Sequence, residues 1–141
     1  VAFLFDTDAI SEVLRPKPLT QYIGWLQTLP RDEQFTSSVV IGELYKGAYR
    51  SPARERHLDN IKKRILPAVT VLPYDVATAH IYGQIRAQLE EAGQMLADAD
   101  LQIAATALYH GLDLVTGNLR HFERIDGLRI NNILSQARRS Q

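Results

Sequence analysis

The chain has 141 residues with no cysteine, 45% hydrophobic and 23% charged residues, and a formal net charge of +0. Such values predict a single compact domain over residues 1–141, able to bury a core without staples. They exclude disulfides, thiolate metal sites and cysteine nucleophiles, and they argue against a protein that coats nucleic acid non-specifically.

The opening Val1-Ala2-Phe3-Leu4-Phe5-Asp6 has no basic region before it and meets an acid at once, so it reads as a buried strand rather than a signal peptide. No apolar run reaches membrane-spanning length. With the lack of disulfides, this predicts a cytoplasmic protein and no membrane partner.

The first strand covers Phe3 to Phe5. Ala9, Ile10, Val13 and Leu14 then follow a helical period, with Asp6 or Asp8 as cap, and Pro16 and Pro18 end the helix. Leu19, Tyr22, Ile23 and Leu26 predict a second helix, stopped near Pro30. Gln34 to Ser37 reads as a strand and Val39 to Tyr49 as a helix. Arg54 to Leu66 is a charged amphipathic helix ending at Pro67. Val69 to Leu72 is a third strand. Asp75 to Ala92 is the longest helix, closed by Gly93. Leu101 to His110 is a further helix closed by Gly111, Leu112 to Val115 is a fourth strand, and Leu128 to Ile130 is an edge strand. Strands alternating with helices imply an α/β fold, a three-layer α/β/α sandwich on a mainly parallel sheet of four to five strands.

In such sheets functional groups collect beyond the carboxyl ends of the strands. That rule points to Asp6, Ser37-Ser38 and Thr116-Gly117-Asn118. Asp6 follows a strand and is either a helix cap or a site residue. Glu43 lies at offsets of four, three, one and four from Val39, Val40, Leu44 and Gly47, on an apolar helix face; a carboxylate there is paired, with Arg86 for example, or binds a metal. Asp98 is the natural cap of the helix that follows it. Asp100 continues the buried stripe of Ile103, Ala104 and Ala107, and the helix amino end favours its charge. Asn118 sits in a Gly-Asn turn beyond a strand end.

Carboxylates about 4–5 Å apart repel by roughly 3–4 kcal/mol at an effective dielectric near 20, so such a cluster needs a proton or a cation. Oxygen donors favour Mg²⁺ or Mn²⁺, which keeps waters and open positions suited to phosphoryl chemistry. His57, His80, His110 and His121 show no metal-ligand spacing. Lys46, Arg50, Arg54, Arg56, Lys62, Lys63 and Arg64 crowd one stretch, opposed only by Glu55 and Asp59; this is a solvated helix face or a basic groove.

Phe5-Asp6-Thr7-Asp8-Ala9-Ile10 resembles the opening motif of PIN-domain ribonucleases. Ile41-Gly42-Glu43-Leu44-Tyr45-Lys46-Gly47, Ala99-Asp100-Leu101-Gln102-Ile103-Ala104-Ala105-Thr106-Ala107 and Val115-Thr116-Gly117-Asn118-Leu119-Arg120-His121-Phe122 are similar to the second, third and fourth. They come in family order and span nearly the whole chain. Within the family the chain is most similar to VapC-type toxins, including the FitB-like branch. The resemblance implies a Mg²⁺- or Mn²⁺-dependent endoribonuclease acting on tRNA or rRNA, a VapB-like antitoxin that occludes its site, and a toxin homodimer. It implies Asp6, Glu43 and Asp100 as acidic ligands, with the hydroxyls of Thr7 and Thr116 nearby. It also implies hydrolysis leaving 3′-hydroxyl and 5′-phosphate ends. Asn118 departs from the stricter pattern, in which Asp is common; Asn ligates through its carbonyl and brings no charge, and Asp98 is a candidate for the missing carboxylate.

Tyr22, Trp25, Leu26, Tyr45 and Tyr49 are either core or the lining of a groove for an antitoxin helix. The Asp75–Ala92 helix is a candidate dimer contact. Two alternatives stand beside the nuclease. One is a catalytically silent PIN module that binds RNA or protein. The other is a haloacid-dehalogenase-like phosphatase built on Asp6-Thr7-Asp8, although Ile10 stands where that family expects Thr.

Overall fold

The computed structural model describes residues 1–140. Its strands are β1 (Phe3–Phe5), β2 (Gln34–Ser37), β3 (Thr70–Leu72), β4 (Asp113–Val115) and β5 (Ile130–Asn131). They form one sheet in the order β3-β2-β1-β4-β5, with every pairing parallel. All three residues of β1 are buried, as a central strand with both faces covered must be. This is the expected three-layer α/β/α sandwich.

The helices are α1 (Thr7–Val13), α2 (Thr20–Leu26), α3 (Ser38–Arg50), α4 (Arg54–Asn60), α5 (Val76–Glu91), α6 (Asp98–His110), α7 (Leu119–Phe122) and α8 (Ile133–Arg139). Their limits follow local chemistry. Asp75 and Thr78 form a capping box at the start of α5. Gly93 and Gly111 close α5 and α6 in the left-handed region, at φ of 67° and 66°.

Four details depart from the sequence expectation. The Arg54–Leu66 helix is α4 followed by a π-helical turn over Ile61–Ile65, in which the Leu66 amide donates to the Ile61 carbonyl at 3.0 Å. That wider turn brings both Ile61 and Ile65 into the core. Helix α6 starts at Asp98, because Asp98, Ala99 and Asp100 form its first turn; Ala97, not Asp98, holds the cap position. The edge strand is Ile130–Asn131. Helices α7 and α8 were not foreseen.

The topology places the site. The chain winds from β1 outward through β2 to β3, then crosses to the other side of β1 for β4 and β5. The reversal falls between β1 and β4, where Phe5 pairs with Val115. A crevice at such a switch point is where open α/β sheets bind ligands. Asp6 and Thr116 are the next residue of each strand.

Candidate active site

Asp6 is held by both elements it joins. Its amide donates to the Val115 carbonyl at 3.1 Å. Its carboxylate accepts from the Ala9 amide at 2.8 Å, capping α1, and from the Thr116 hydroxyl. Cap and site residue are therefore the same residue. Asp8, the other cap candidate, lies inside α1 and pairs with Arg138. Asp6 is 6% exposed. Burial pushes its carboxyl up to about 7; the two hydrogen bonds pull it down, and the charges of Asp8 and Asp100 push it up.

Glu43 stands on α3, which Ser37 caps by accepting from the Val40 amide. The Thr7 hydroxyl donates to Glu43 at 2.5 Å. The face carrying Glu43 is less buried than its pattern suggests: Val40, Ile41 and Ala48 are buried, Glu43 is half-buried and Gly47 is exposed. Arg86 is not its partner, because Arg86 pairs with Glu90 and Asp98. Asp100 is half-buried in the first turn of α6. Burial and the Glu43 charge raise its carboxyl, against the influence of His121, whose Nδ1 lies 3.9 Å away.

Thr116 is fully buried and works as a relay. Its hydroxyl donates to Asp6 and accepts from the Asn118 amide at 3.0 Å. The exposed Asn118 side chain meets His121 Nδ1 at 2.8 Å through its Nδ2. His121, set aside in the sequence because its spacing matches no metal motif, thus lies between Asp100 and Asn118. The signal was the three-residue step from Asn118 to His121 on α7, legible only once that short helix is known.

Asp98 does not stand with these groups. Its carboxylate accepts from the Tyr82 hydroxyl at 2.6 Å and from the Arg86 guanidinium, both on α5. It neither caps α6 nor offers a free carboxylate to complete the site.

The other acids around the site have cationic partners: Asp8 has Arg138, and Glu12 has Arg15 and Arg138. Among the described residues, no Lys or Arg pairs with Asp6, Glu43 or Asp100. Three carboxylates without a Lys or Arg partner form an oxygen donor set suited to a hard divalent cation. As the side chains stand, no three His, Asp or Glu groups among the described residues converge on one ion position. The fit is thus one of donor chemistry and neighbourhood rather than of a finished coordination shell.

Thr7 and Glu43 also line one end of a cleft of about 840 Å³ that continues past Leu14, Leu44, Arg56 and Arg64. The basic stretch is divided. Arg56 and Arg64 face this cleft, Lys63 pairs with Asp59, and Arg54 packs over the Tyr49 ring. Of the two readings of the aromatic residues, core or groove, the structure gives no single groove. Tyr22 is fully buried and donates to the Ala9 carbonyl, Trp25 packs edge-on against Phe3, and Tyr45 and Tyr49 are exposed.

Comparison with known proteins matches the sequence pattern of the PIN domain to residues 3–128. The chain is 35% identical to "Toxin FitB" of Neisseria gonorrhoeae over 128 residues, covering 87% of this chain and 92% of that protein. It is 37% identical to the "tRNA(fMet)-specific endonuclease VapC" of Salmonella typhimurium, over 92% of this chain and 96% of that protein. A crystal structure of DNA-bound VapBC from Salmonella typhimurium superimposes with a TM-score of 0.86 at 36% identity, covering 93% of this chain and 97% of that one. The ordered motifs, the five-stranded parallel sheet and these matches place the chain in the PIN-domain family, among the VapC-type proteins.

Proposed function

We propose that this protein is an endoribonuclease that depends on Mg²⁺ or Mn²⁺ and serves as the toxin of a toxin–antitoxin pair. The observation that carries the reading is the set of carboxylates Asp6, Glu43 and Asp100, unpaired by Lys or Arg in a neighbourhood where the other acids are paired. Membership of the PIN family removes the phosphatase alternative. Retention of all three acids speaks against a silent module.

Asp6, Glu43 and Asp100 would hold the ion, with Asn118 contributing its carbonyl oxygen. Such an ion, when bound, polarises a phosphate and lowers the pKa of a water molecule. The residues around it set geometry. Thr116 holds the Asp6 carboxylate and the Asn118 turn through one hydroxyl. Thr7 fixes the rotamer of Glu43. Burial favours the neutral form of Asp6, so an ion held there would compete with a proton. Attack by water on the RNA phosphodiester leaves 3′-hydroxyl and 5′-phosphate ends.

The substrate is tRNA or rRNA, in keeping with the tRNA-cleaving relative. The partner is a VapB-like antitoxin, and the cleft beginning at Thr7 and Glu43 is the surface through which it would occlude the site. The toxin is a homodimer with α5 as the candidate contact, and it acts in the cytoplasm. Among the described residues no helix is long and apolar enough to cross a membrane.

The test is RNA cleavage with Mn²⁺, comparing wild type with Asp100→Ala and mapping the ends. Cleavage falls by at least about a hundredfold in the variant, as expected when a cation ligand is removed. Equal activity in both proteins, or a 2′,3′-cyclic phosphate product, overturns the reading.

A further inference from the structure

Helix α8 follows the stretch matched by the family pattern, yet it packs beside the site. Arg138 forms a two-pronged pair with Asp8, Nη1 to Oδ2 at 2.7 Å and Nη2 to Oδ1 at 2.8 Å. Its Nη2 also reaches Glu12 at 3.3 Å. Glu12 is 1% exposed and is anchored by the Leu19 amide and by Arg15, each at 3.1 Å. Arg138 is therefore seated against α1 on both sides of one turn. A planar guanidinium meeting a carboxylate through two parallel bonds fixes direction as well as distance.

The Thr116–Gly117–Asn118 turn is trapped by this pair. A Cβ placed on Gly117 would collide with both the Arg138 guanidinium and the Asp8 carboxylate. The backbone of the turn thus lies directly against the ion pair, and a side chain at position 117 would have to displace the pair from its present seat. The Ser135 hydroxyl, also on α8, donates to the Gly117 carbonyl at 3.3 Å. Asp8 is two residues from Asp6, and Gly117 lies between Thr116, which holds Asp6, and Asn118.

We infer that Arg138 is a positioning residue of the acidic site: through Asp8 and the close-packed Gly117 it clasps α8 over the turn and seats Thr116 and Asn118 against Asp6. Its guanidinium is committed to Asp8 and Glu12, so it acts through them and not on substrate. The activity readout of this inference rests on the nuclease reading; its structural readout does not.

The test compares wild type with Arg138→Gln, Arg138→Lys, Gly117→Ala and Arg129→Gln. Arg129 is the control because it makes an equally close pair, with Asp113 at 2.7 Å, at the start of β4 and away from the site. Amide hydrogen exchange over residues 113–122 is read without added metal. Arg138→Gln speeds exchange of the 116–118 turn by about tenfold or more, while Arg129→Gln leaves the turn as in wild type. In RNA cleavage with Mn²⁺, Arg138→Gln and Gly117→Ala each lower kcat by about ten- to a hundredfold with KM little changed, since geometry and not substrate contact is lost. The double variant loses no more than the worse single one, because both act on one device. Arg138→Lys recovers part of the loss by keeping one contact to Asp8, and it replaces Arg138→Gln in the exchange experiment should the latter fail to fold.

Unchanged exchange at the turn overturns the clasp whatever the activity. Equal loss of kcat in Arg129→Gln also overturns it, by reducing Arg138 to a general stabilising pair. A wild type that neither cleaves RNA nor binds Mn²⁺ overturns the nuclease reading instead, and the exchange result still decides the clasp.

Discussion

Asp6 combines three demands in one carboxylate: it caps α1, it joins β1 to the turn after β4, and it faces Asp8 and Asp100 while nearly excluded from water. Its proton affinity carries a consequence for stability. The folded carboxyl is raised to about 7 from 3.8, so between those values the folded state holds a proton that the unfolded state has released. Stability of the metal-free protein therefore falls as pH rises from about 4 to about 7, by on the order of 4 kcal/mol from this group. Thermal melts in EDTA across that range should show a shallower fall in Asp6→Asn than in wild type; parallel curves would refute the assignment. In the sequence, Asp6 stands out by its strand end and Asp100 by its helix face. The capture of Asp98 by Arg86 and Tyr82, and the grip of Thr7 on Glu43 across 36 positions, are not legible there, because such pairs leave no local period.

Elements were legible where their ends are chemical. Pro16, Pro67, Gly93 and Gly111 act on their own backbone, and each stops a helix close to where it should. Gly111 adopts φ of 66°, and the Leu112 amide behind it donates to the Ala107 carbonyl at 2.9 Å. Gly111→Ala should lower unfolding free energy by about 1 kcal/mol in urea titration while kcat per folded molecule stays at the wild-type value. A neutral effect would mean that the left-handed turn relaxes. The unread elements have tertiary causes. The π-helical turn at Ile61–Ile65 exists to bury both isoleucines, and α7 is four residues long. Helix α8 takes its hold from a partner at the opposite end of the chain.

At the scale of the molecule, the site belongs to neither winding of the sheet. The β1–α1 junction, α1 and α3 supply Asp6, Thr7 and Glu43; α6 and the segment after β4 supply Asp100, Thr116 and Asn118. An ion bound between them would tie one set to the other. Mn²⁺ at about a hundredfold its dissociation constant should therefore stabilise the fold by about 2.7 kcal/mol, seen as a rise in Tm that EDTA reverses. Asp100→Asn should abolish most of that rise; an undiminished rise would place the ion elsewhere. The parallel sheet and the helices from α1 to α6 followed from the alternation of strand and helix patterns, whereas α7 and α8 did not. The switch point did not, since strand order depends on which side of β1 the chain returns to.

The Arg138–Asp8 pair joins residues 130 positions apart. Synthesis therefore makes the first acids of the site early and the residue that seats the opposite turn near the end of these 141 residues. A growing chain carries Asp6, Glu43 and even Asp100 well before Thr116, Asn118 and α8 can close around them. If Arg138 is the clasp inferred above, the acidic site takes its seated geometry only after α8 has been made.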